Sequence, residues 1–576
     1  MRTFTLKGPL RAVAMCAVVP ALASCAHYAP RYTPDSVAPP PSLEAVPVKA
    51  RPPEPAPAPP EAPPPDETFT LDAVIRMALA RNRELEVRSF DPEITRTAVD
   101  EARATFDPAL SATVKYGEQN TPGVDTQTGG GTTTTSGAQG GDNFTEALQA
   151  AQTLVSQLRQ LATAYSGDTV MVNHANYTNA DATLSQPLPT GTTLTLSGGF
   201  ARSNSSALDE PEYSGTWNIG LVQSLLRGFG TDVNLVSLRR SRNNDAIGGL
   251  AFRDAALQLV ERVISKYWEL ALAQQTLEIR RFSLGLAEEQ LRLNEALVSV
   301  GKLAGSARVS AQAEVAAQRA VLVDAEAGLA TRSLEFRRLI NPGTAFPEDG
   351  EFPEIAVPEP EKEPFPPERS VALARAFRPD LAQARLDVAN GDLAVVETKN
   401  GLLPRLDAFA SYGVNSRGAG TGAWARHLDD TTYEAFEAGL NFSMTLGRRA
   451  EKARHLRAKL QTGQAEAALR NLEQLAETEV RAALVEAGRQ FAQLAASRQE
   501  VMQREKELAV ETEEFRLGRS TNLNVLQVQR DLVQAKLAEA SARAGYYQAR
   551  AGLHRAEGTL LTRHGIVLDT DREHTS

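Results

Sequence analysis

The sequence is short of cysteine, of aromatic side chains and of long apolar runs, and each shortage excludes a class of protein. The two cysteines, Cys16 and Cys25, both lie close to the N-terminus, so a framework of disulfides is excluded. Aromatic residues make up 6% of the chain, which suits helices packed through Ala, Leu and Val better than one large globular core. Beyond the N-terminus no apolar run reaches about 18 residues, so no membrane-spanning helix is expected. A membrane role would need strands or an anchor.

Proline is missing from two long stretches. The chain has 33 prolines, yet none lies in residues 212–341 or 405–576. Because proline costs about 3 kcal/mol inside a helix, both stretches predict long helices. The charge balance, 61 basic against 71 acidic side chains, argues against a general nucleic-acid binder.

Signatures of enzymatic and metal chemistry are missing as well. The 7 histidines show no metal-ligand spacing. The glycine-rich run at 129–141 lacks the Gly-Lys-Ser or Gly-Lys-Thr ending that cradles phosphate. No nucleophile is paired with a base. We therefore expect no enzyme, no cofactor and no metal site.

Residues 1–24 have the three parts of a secretory signal peptide: a basic start, an apolar core and a small-residue ending. The ending Leu22-Ala23-Ser24-Cys25 resembles the bacterial lipobox, which implies cleavage before Cys25 and lipid attachment to that cysteine. Ala26 follows rather than Asp, which by the same resemblance favours the outer membrane. The alternative is an ordinary signal peptide with an incidental cysteine.

Two stretches rich in Pro and Glu predict extended connections. Residues 25–66 predict a tether that lets a folded body stand off from the anchored lipid. Residues 342–369 predict a linker between two halves of the chain. Such compositions bury too little apolar surface to fold alone. Residues 566–576 are expected to form a C-terminal tail.

The two halves of the chain repeat each other. The stretch from Phe69 to Thr105 predicts a helix, and a shift of 296 residues aligns it without a gap on the second half, with matches such as Ile75 to Val371, Leu85 to Leu381 and Pro108 to Pro404. A second shift, of 217 residues, aligns Val300–Glu314 with Leu517–Asp531 and matches Gly301 to Gly518. These paired segments predict two helical hairpins with glycine at their tips. We expect two repeats, residues 67–341 and 370–565, with long helices at Ala251–Val300 and Leu303–Ile340.

Strict alternation of apolar and polar residues follows the first helix of each repeat and predicts strands. The apolar positions are Leu110, Ala112, Val114 and Tyr116 in one repeat, and Leu406, Ala408, Ala410 and Tyr412 in the other. Returning strands are predicted at Trp217–Leu221 and Phe436–Met444. An apolar face would point into the core of a soluble sandwich, or towards lipid in a membrane barrel. The strands alone favour the sandwich, whereas the signal peptide, the anchor and the repetition favour the barrel.

The first repeat carries an insertion, about residues 118–205. It contains a glycine-rich loop, helical spacing at Phe144–Tyr165, and a predicted hairpin at Ala180–Phe200. From the sequence alone the hairpin could join the sheet or decorate it, with a slight preference for joining.

In each repeat the order is helix, strands, long helix, glycine tip, long helix, and Leu225–Gly230 reads LLRGFG after a strand. This arrangement resembles the TolC-type outer-membrane efflux protein family, in its lipoprotein form, over about residues 69–563. The resemblance implies a mostly α fold with a membrane β-barrel portion. The duplicated strand and hairpin units would form a trimeric β-barrel and a periplasmic α-helical barrel.

The same resemblance implies a function and partners. The protein would be a passive exit duct in the outer membrane, part of a tripartite efflux system that exports small molecules. Its partners would be two further copies of itself, a periplasmic adaptor protein, an inner-membrane transporter and outer-membrane lipid. One alternative is the outer-membrane component of a type I protein secretion system. Another is a periplasmic coiled-coil scaffold lipoprotein that forms no channel.

The resemblance also points to residues at the tips. In the family, aspartates six and nine positions after the tip glycine close the periplasmic end of the tunnel. Here those positions hold Asn524 and Gln527 in the second repeat, and Ala307 and Ser310 in the first, so a constriction would be uncharged. Adaptor contacts are expected at Val300, Gly301, Lys302 and Leu303, and at Leu517, Gly518, Arg519 and Ser520. Ordinary helix packing and plain turn chemistry are the alternatives.

Overall fold

The computed structural model describes residues 31–38, 69–124, 153–159, 170–205, 210–341, 352–360, 366–419 and 433–568. The chain divides into two compact units. Among the described residues, the strand unit falls within Arg103–Leu235 and Val396–Ala453, and the helix unit falls within Tyr28–Ala102, Val236–Val395 and Arg454–Ser576. The predicted signal peptide and the predicted lipidation site Cys25 lie outside the described residues.

The described part of the strand unit contains a six-stranded antiparallel sheet in which each strand pairs with the next in sequence. The strands are β1 Ala109–Val124, β2 Val170–Pro187, β3 Thr192–Ser205, β4 Glu212–Ser224, β5 Arg405–Ala419 and β6 Glu434–Ser443. The inserted hairpin, β2 and β3, therefore joins the sheet between β1 and β4. Both repeats contribute to one sheet, because β4 of the first pairs with β5 of the second.

The sheet has one apolar and one polar face. Residues directly opposite each other on paired strands share a face. One row of opposite residues crosses all six strands and is apolar throughout: Leu110, Leu184, Leu196, Ile219, Tyr412 and Phe436. A row on the other face is polar or glycine: Thr113, Asp181, Gly199, Thr216 and Asn415. The predicted alternation is confirmed for both repeats.

Most of the remaining described residues are helical, as the lack of proline predicts. The helices are α1 Pro34–Val37, α2 Leu71–Arg81, α3 Arg83–Ala104, α4 Thr231–Asn234, α5 Val236–Ser299, α6 Gly305–Ile340, α7 Pro367–Phe377, α8 Pro379–Gly401, α9 Arg449–Arg516, α10 Asn522–Ala556 and α11 Leu560–Arg563. Residues 153–159 form a further helical segment. Nowhere in the described residues does a helix combine the length and the apolar character that crossing a membrane requires.

Two predicted helix boundaries were wrong. The long helix expected at Ala251–Val300 begins at Val236, since no proline or cap interrupts the earlier residues. It has 64 residues and its counterpart α9 has 68, so each is about 100 Å long at 1.5 Å per residue. The single helix expected from Phe69 to Thr105 is interrupted at Asn82, whose side-chain oxygen accepts hydrogen bonds from the N–H groups of Glu84 and Leu85 at 3.0 Å. Those bonds start a new helix.

The core of the helix unit is rich in the few aromatic residues that the chain has. The Trp268 ring stacks on Tyr547 with 4.2 Å between centroids. Phe336 and Phe352 meet edge to face at 5.4 Å. Phe352 and Ile355 come from the predicted linker 342–369, and the Gln274 side chain binds the backbone at Ile355 N and Pro353 O, each at 3.0 Å. Part of this linker is therefore fixed in the core.

Residues 31–38 are also fixed, although the sequence predicts an extended tether there. Thr33 begins α1 with a capping box, and Val37 is buried against Ala246 and Leu386. Arg31 pairs with Asp392 at 3.1 Å and also with Glu466. A short segment needs no core of its own when a few of its side chains reach an existing one, so composition does not predict this contact.

Candidate functional site: the two hairpin tips

The first hairpin tip, between α5 and α6, is closed by a defined backbone turn. Gly301 has a φ of 76°. Its N–H donates to the Val298 carbonyl at 3.0 Å, and the N–H of Lys302 donates to the Leu297 carbonyl at 2.9 Å. This pair of bonds is the Schellman motif, which ends a helix with a residue in the left-handed region. Glycine is needed at that position because other L-residues are strained there.

The second tip, between α9 and α10, has the same turn. Gly518 has a φ of 78°, its N–H donates to the Phe515 carbonyl at 3.0 Å, and the Arg519 N–H donates to the Glu514 carbonyl at 2.9 Å. Thr521 then caps α10 by accepting from a backbone N–H. Two tips that are 217 residues apart thus share one hydrogen-bond pattern, as the sequence repeat predicts.

The residues predicted to contact an adaptor present a common pattern. An exposed apolar side chain precedes each glycine, with Val300 65% and Leu517 61% accessible. An exposed cation follows each glycine, at Lys302 and Arg519. The next residues are less accessible: Leu303 is half-buried, and the Ser520 hydroxyl is bound to Glu511.

The four residues predicted to form a constriction are not equivalent in position. Asn524 and Gln527 are exposed on α10, where they continue into a polar stripe with Arg530 and Gln534. On α6, Ser310 is exposed whereas Ala307 is half-buried. Within the part of the chain that the structure describes, no hydrogen bond joins any of the four side chains to another. Asn524 and Gln527 are both accessible to solvent.

A buried amide cluster behind the first tip was missed by the sequence reasoning. Gln290 Nε2 and Asn294 Nδ2, both on α5, donate to Asn522 Oδ1, the first residue of α10, at 2.9 Å each. Asn294 Nδ2 also lies 3.3 Å from the Ala307 carbonyl on α6. Asn294 is 0% exposed, and buried amides of this kind are costly to leave unpaired. The cluster therefore ties three helices of both hairpins together next to the tips.

An ion pair ties two of these helices, α6 and α10, together further from the tip. Arg530 of α10 binds Glu314 of α6 through both nitrogens of its fork, with Nε 3.4 Å from Oε1. The Gln318 side chain also donates to Glu314 at 2.8 Å. The hydrogen bond from Arg530 lowers the pKa of Glu314, and burial opposes that shift only in part. Glu314 is 9% exposed and Arg530 61%, so the carboxylate is the group that depends on its partner.

Weak signals for these residues exist in the sequence. Gln290 and Asn294 are four residues apart, so they lie on one face of α5. Polar side chains on a buried helix face need hydrogen-bond partners. The repeat aligns Glu314 with Asp531, and each acid binds an arginine, since Asp531 lies 3.4 Å from Arg504. The partners themselves could not be found, because Glu314 and Arg530 are 216 residues apart.

Comparison with known proteins defines the class to which this fold belongs. The model of the family described as outer membrane efflux protein matches residues 172–342 and 371–559. These two segments make up more than half of the chain, so the chain belongs to the outer membrane efflux protein family. Membership places it at the outer membrane, in efflux, among proteins known as channels and not as enzymes.

Individual relatives agree with this assignment. The chain is 25% identical over 379 residues to the outer membrane efflux protein BepC of Brucella suis, covering 64% of this chain and 77% of the relative. Its fold is similar to the CmeC outer membrane channel of Campylobacter jejuni, with a TM-score of 0.58, 14% identity and 88% of each chain covered. It is also similar to the outer-membrane channel OprN, with a TM-score of 0.57, 17% identity, and 86% of this chain and 90% of the other covered.

Proposed function

We propose that the protein is the passive outer-membrane exit duct of a tripartite efflux system, acting as a homotrimer anchored by lipid on Cys25. The observation that carries this proposal is that one chain of this family contains both a sheet with one apolar and one polar face and a duplicated helical hairpin. The duct binds a periplasmic adaptor protein and works with an inner-membrane transporter that supplies the energy. Its cargo is a small molecule.

The sheet supports an oligomer. Membrane barrels need about eight strands or more, and the described sheet has six. An open sheet edge is not tolerated in lipid, because its backbone groups would have no hydrogen-bond partner. Several copies therefore share one barrel, with the apolar row from Leu110 to Phe436 facing lipid and the polar face lining water.

The hairpins support the periplasmic part of the duct. The polar stripe that starts at Asn524 and Gln527 gives the tunnel a lining of hydrogen-bonding groups, and the two amides form its narrowest ring together with Ala307 and Ser310. An uncharged ring of this kind discriminates little between ions. The turn residues 300–303 and 517–520 form the adaptor contact, and each turn exposes one apolar and one cationic side chain.

The proposal is tested on the full-length protein purified in detergent. We expect a trimer by mass, a lipid-sized mass increase that a Cys25→Ser variant lacks, and ion conductance in a planar bilayer. A monomer without conductance would contradict the proposal. If the Cys25→Ser variant were also soluble without detergent, the protein would instead be a periplasmic scaffold.

A further inference from the structure

The sheet has two free edges, β1 and β6. Each of the four strands between them pairs on both sides, whereas β1 and β6 pair on one side only among the described residues. Every described residue of these two strands is exposed except Gly117 and Gly439, which are half-buried. In the proposed membrane setting these edges need a partner strand, and the proposed homotrimer supplies one from a second copy.

The direction of the strands allows this pairing. Neighbouring strands are antiparallel throughout the sheet, and an even number of strands leaves β6 antiparallel to the β1 of the next copy. The first residue of β1, Ala109, pairs with Ser185 near the end of β2, and the last residue of β6, Ser443, pairs with Arg405 at the start of β5. Because the strands alternate in direction, the start of β1 and the end of β6 therefore lie at the same end of the sheet. Every new pair in the barrel is therefore of the same type as those already present.

The register follows from the strand ends and the faces. Placing Ala109, the first residue of β1, opposite Ser443, the last residue of β6, keeps the apolar face continuous. The apolar pairs become Leu110 with Phe442, Ala112 with Leu440, Val114 with Ala438, and Tyr116 with Phe436. A slip of one residue would put each of these side chains opposite one from the polar face.

This register brings opposite charges together on the polar face. Lys115 falls directly opposite Glu437, and neither has an ion-pair partner among the residues that the structure describes. Opposite charges at such positions stabilise paired strands. We propose that β1 of one copy pairs with β6 of the next in this register, with Lys115 and Glu437 joined across the interface.

The consequence is an unusually wide barrel for the proposed duct. Three copies give about 18 strands, a number at which barrels hold an open aqueous lumen. With strands about 4.8 Å apart and tilted by about 40°, the backbone cylinder is about 36 Å across, against about 24 Å for a 12-stranded barrel. The inserted hairpin β2–β3 supplies the added width. This inference rests on the proposed homotrimeric duct.

Cysteine cross-linking tests the register in the full-length trimer. Directly opposite residues bring their Cβ atoms to about 4.5–5.5 Å, whereas residues two positions out of register lie about 7–8 Å apart. We expect Lys115→Cys with Glu437→Cys to form disulfide-linked dimers and trimers on mild oxidation. The matched control, Lys115→Cys with Ala435→Cys, has the same facial parity but is out of register by two. It should cross-link at least ten-fold more slowly.

A charge swap gives a second measurement. Lys115→Glu should lower the fraction of trimer that survives in sodium dodecyl sulfate by at least two-fold, and adding Glu437→Lys should restore it. A conducting trimer that cross-links faster through the control pair, or through neither pair, would overturn the register and leave the duct intact. A monomer that does not conduct would instead overturn the proposed function.

Discussion

Asn82 and Arg378 hold equivalent positions in the two repeats, and each makes the equivalent contact within its own repeat through a different chemical group. They are 296 residues apart, and each lies between two consecutive helices, α2 and α3 or α7 and α8. Asn82 Nδ2 donates to the Leu339 carbonyl at 2.8 Å, and Arg378 Nη1 donates to the Ala556 carbonyl at 3.4 Å. Leu339 and Ala556 are 217 residues apart, the shift that relates the tips. One contact is therefore made twice, once by an amide and once by a guanidinium.

The two substitutions to alanine should therefore differ in cost. Arg378 also binds Asp380 through two nitrogens, at 3.1 and 2.7 Å, and Glu479 at 2.6 Å. These ion pairs raise the pKa of Arg378 although burial opposes the shift. We expect Arg378→Ala to destabilise by about 2–4 kcal/mol and Asn82→Ala by about 1–2 kcal/mol through loss of its cap.

Thermal unfolding followed by helical circular dichroism measures this difference. Arg378→Lys is the matched control, because it keeps the charge but not the two-nitrogen fork, and it should fall between the wild type and Arg378→Ala. Equal losses for Asn82→Ala and Arg378→Ala would contradict the account.

Replacing either tip glycine by alanine should loosen its turn. Gly301 and Gly518 have positive φ angles, and an alanine there costs about 1–2 kcal/mol. The matched control is Gly305→Ala, where φ is not positive and an added Cβ meets nothing within 4 Å. We expect faster cleavage by trypsin after Lys302 in Gly301→Ala and after Arg519 in Gly518→Ala. If Gly305→Ala accelerated cleavage equally, the positive φ of the tip glycines would not be the reason for the looser turn.

Removing the buried amide of Asn294 should release the first hairpin from α10. Asn294→Ala leaves Asn522 with one donor fewer and the Ala307 carbonyl without its donor from Asn294, at a cost of about 1–3 kcal/mol. If the bundle of tips limits conduction, single-channel recordings should show a higher resting conductance. Gln312→Ala, an exposed change on α6 outside the proposed ring, serves as the control and should leave the thermal midpoint and the resting conductance unchanged.

The exposed amides Asn524 and Gln527 make a separate prediction. Replacing both with alanine removes the proposed polar ring, and among the described residues it breaks no side-chain hydrogen bond. The thermal midpoint should therefore stay within about 1 °C while resting conductance rises. Gln534→Ala, on the same stripe but further along α10, should change conductance less. An unchanged conductance in the double variant would exclude both residues from the constriction.

Stability should depend on pH through Glu314. Its pKa is lowered below the ordinary value of 4.5 by Arg530. The ion pair therefore contributes its full stability above pH 4.5, and this contribution is lost as the pH falls through the depressed pKa of the folded state. The difference in thermal midpoint between wild type and Glu314→Gln should shrink as the pH is lowered below 4.5. If the difference in thermal midpoint stayed constant with pH, the ion pair between Glu314 and Arg530 would be excluded as the source of the stability lost in Glu314→Gln.

The sequence predicts the parts of this fold that repeat and alternate. The strands follow from alternation at residues such as Leu110 and Tyr412, and the tips follow from Gly301 and Gly518. Contacts that depend on the relative register of distant helices could not be predicted, and the Arg530 to Glu314 pair is an example. The break at Asn82 was missed because an asparagine inside a helical pattern becomes a cap only when its carbonyl partner, Leu339, is in place.

The docked segment at residues 31–38 changes what an acylated Cys25 would do. Six peptide steps separate Cys25 from Arg31, and a fully extended chain covers at most about 22 Å over that distance. Because Arg31 and Val37 are held on the helix unit, the lipid could not drift further than this from their binding site. The N-terminal segment would then set a maximum distance between the lipid surface and the helices α5 and α8, which a long flexible tether would not do.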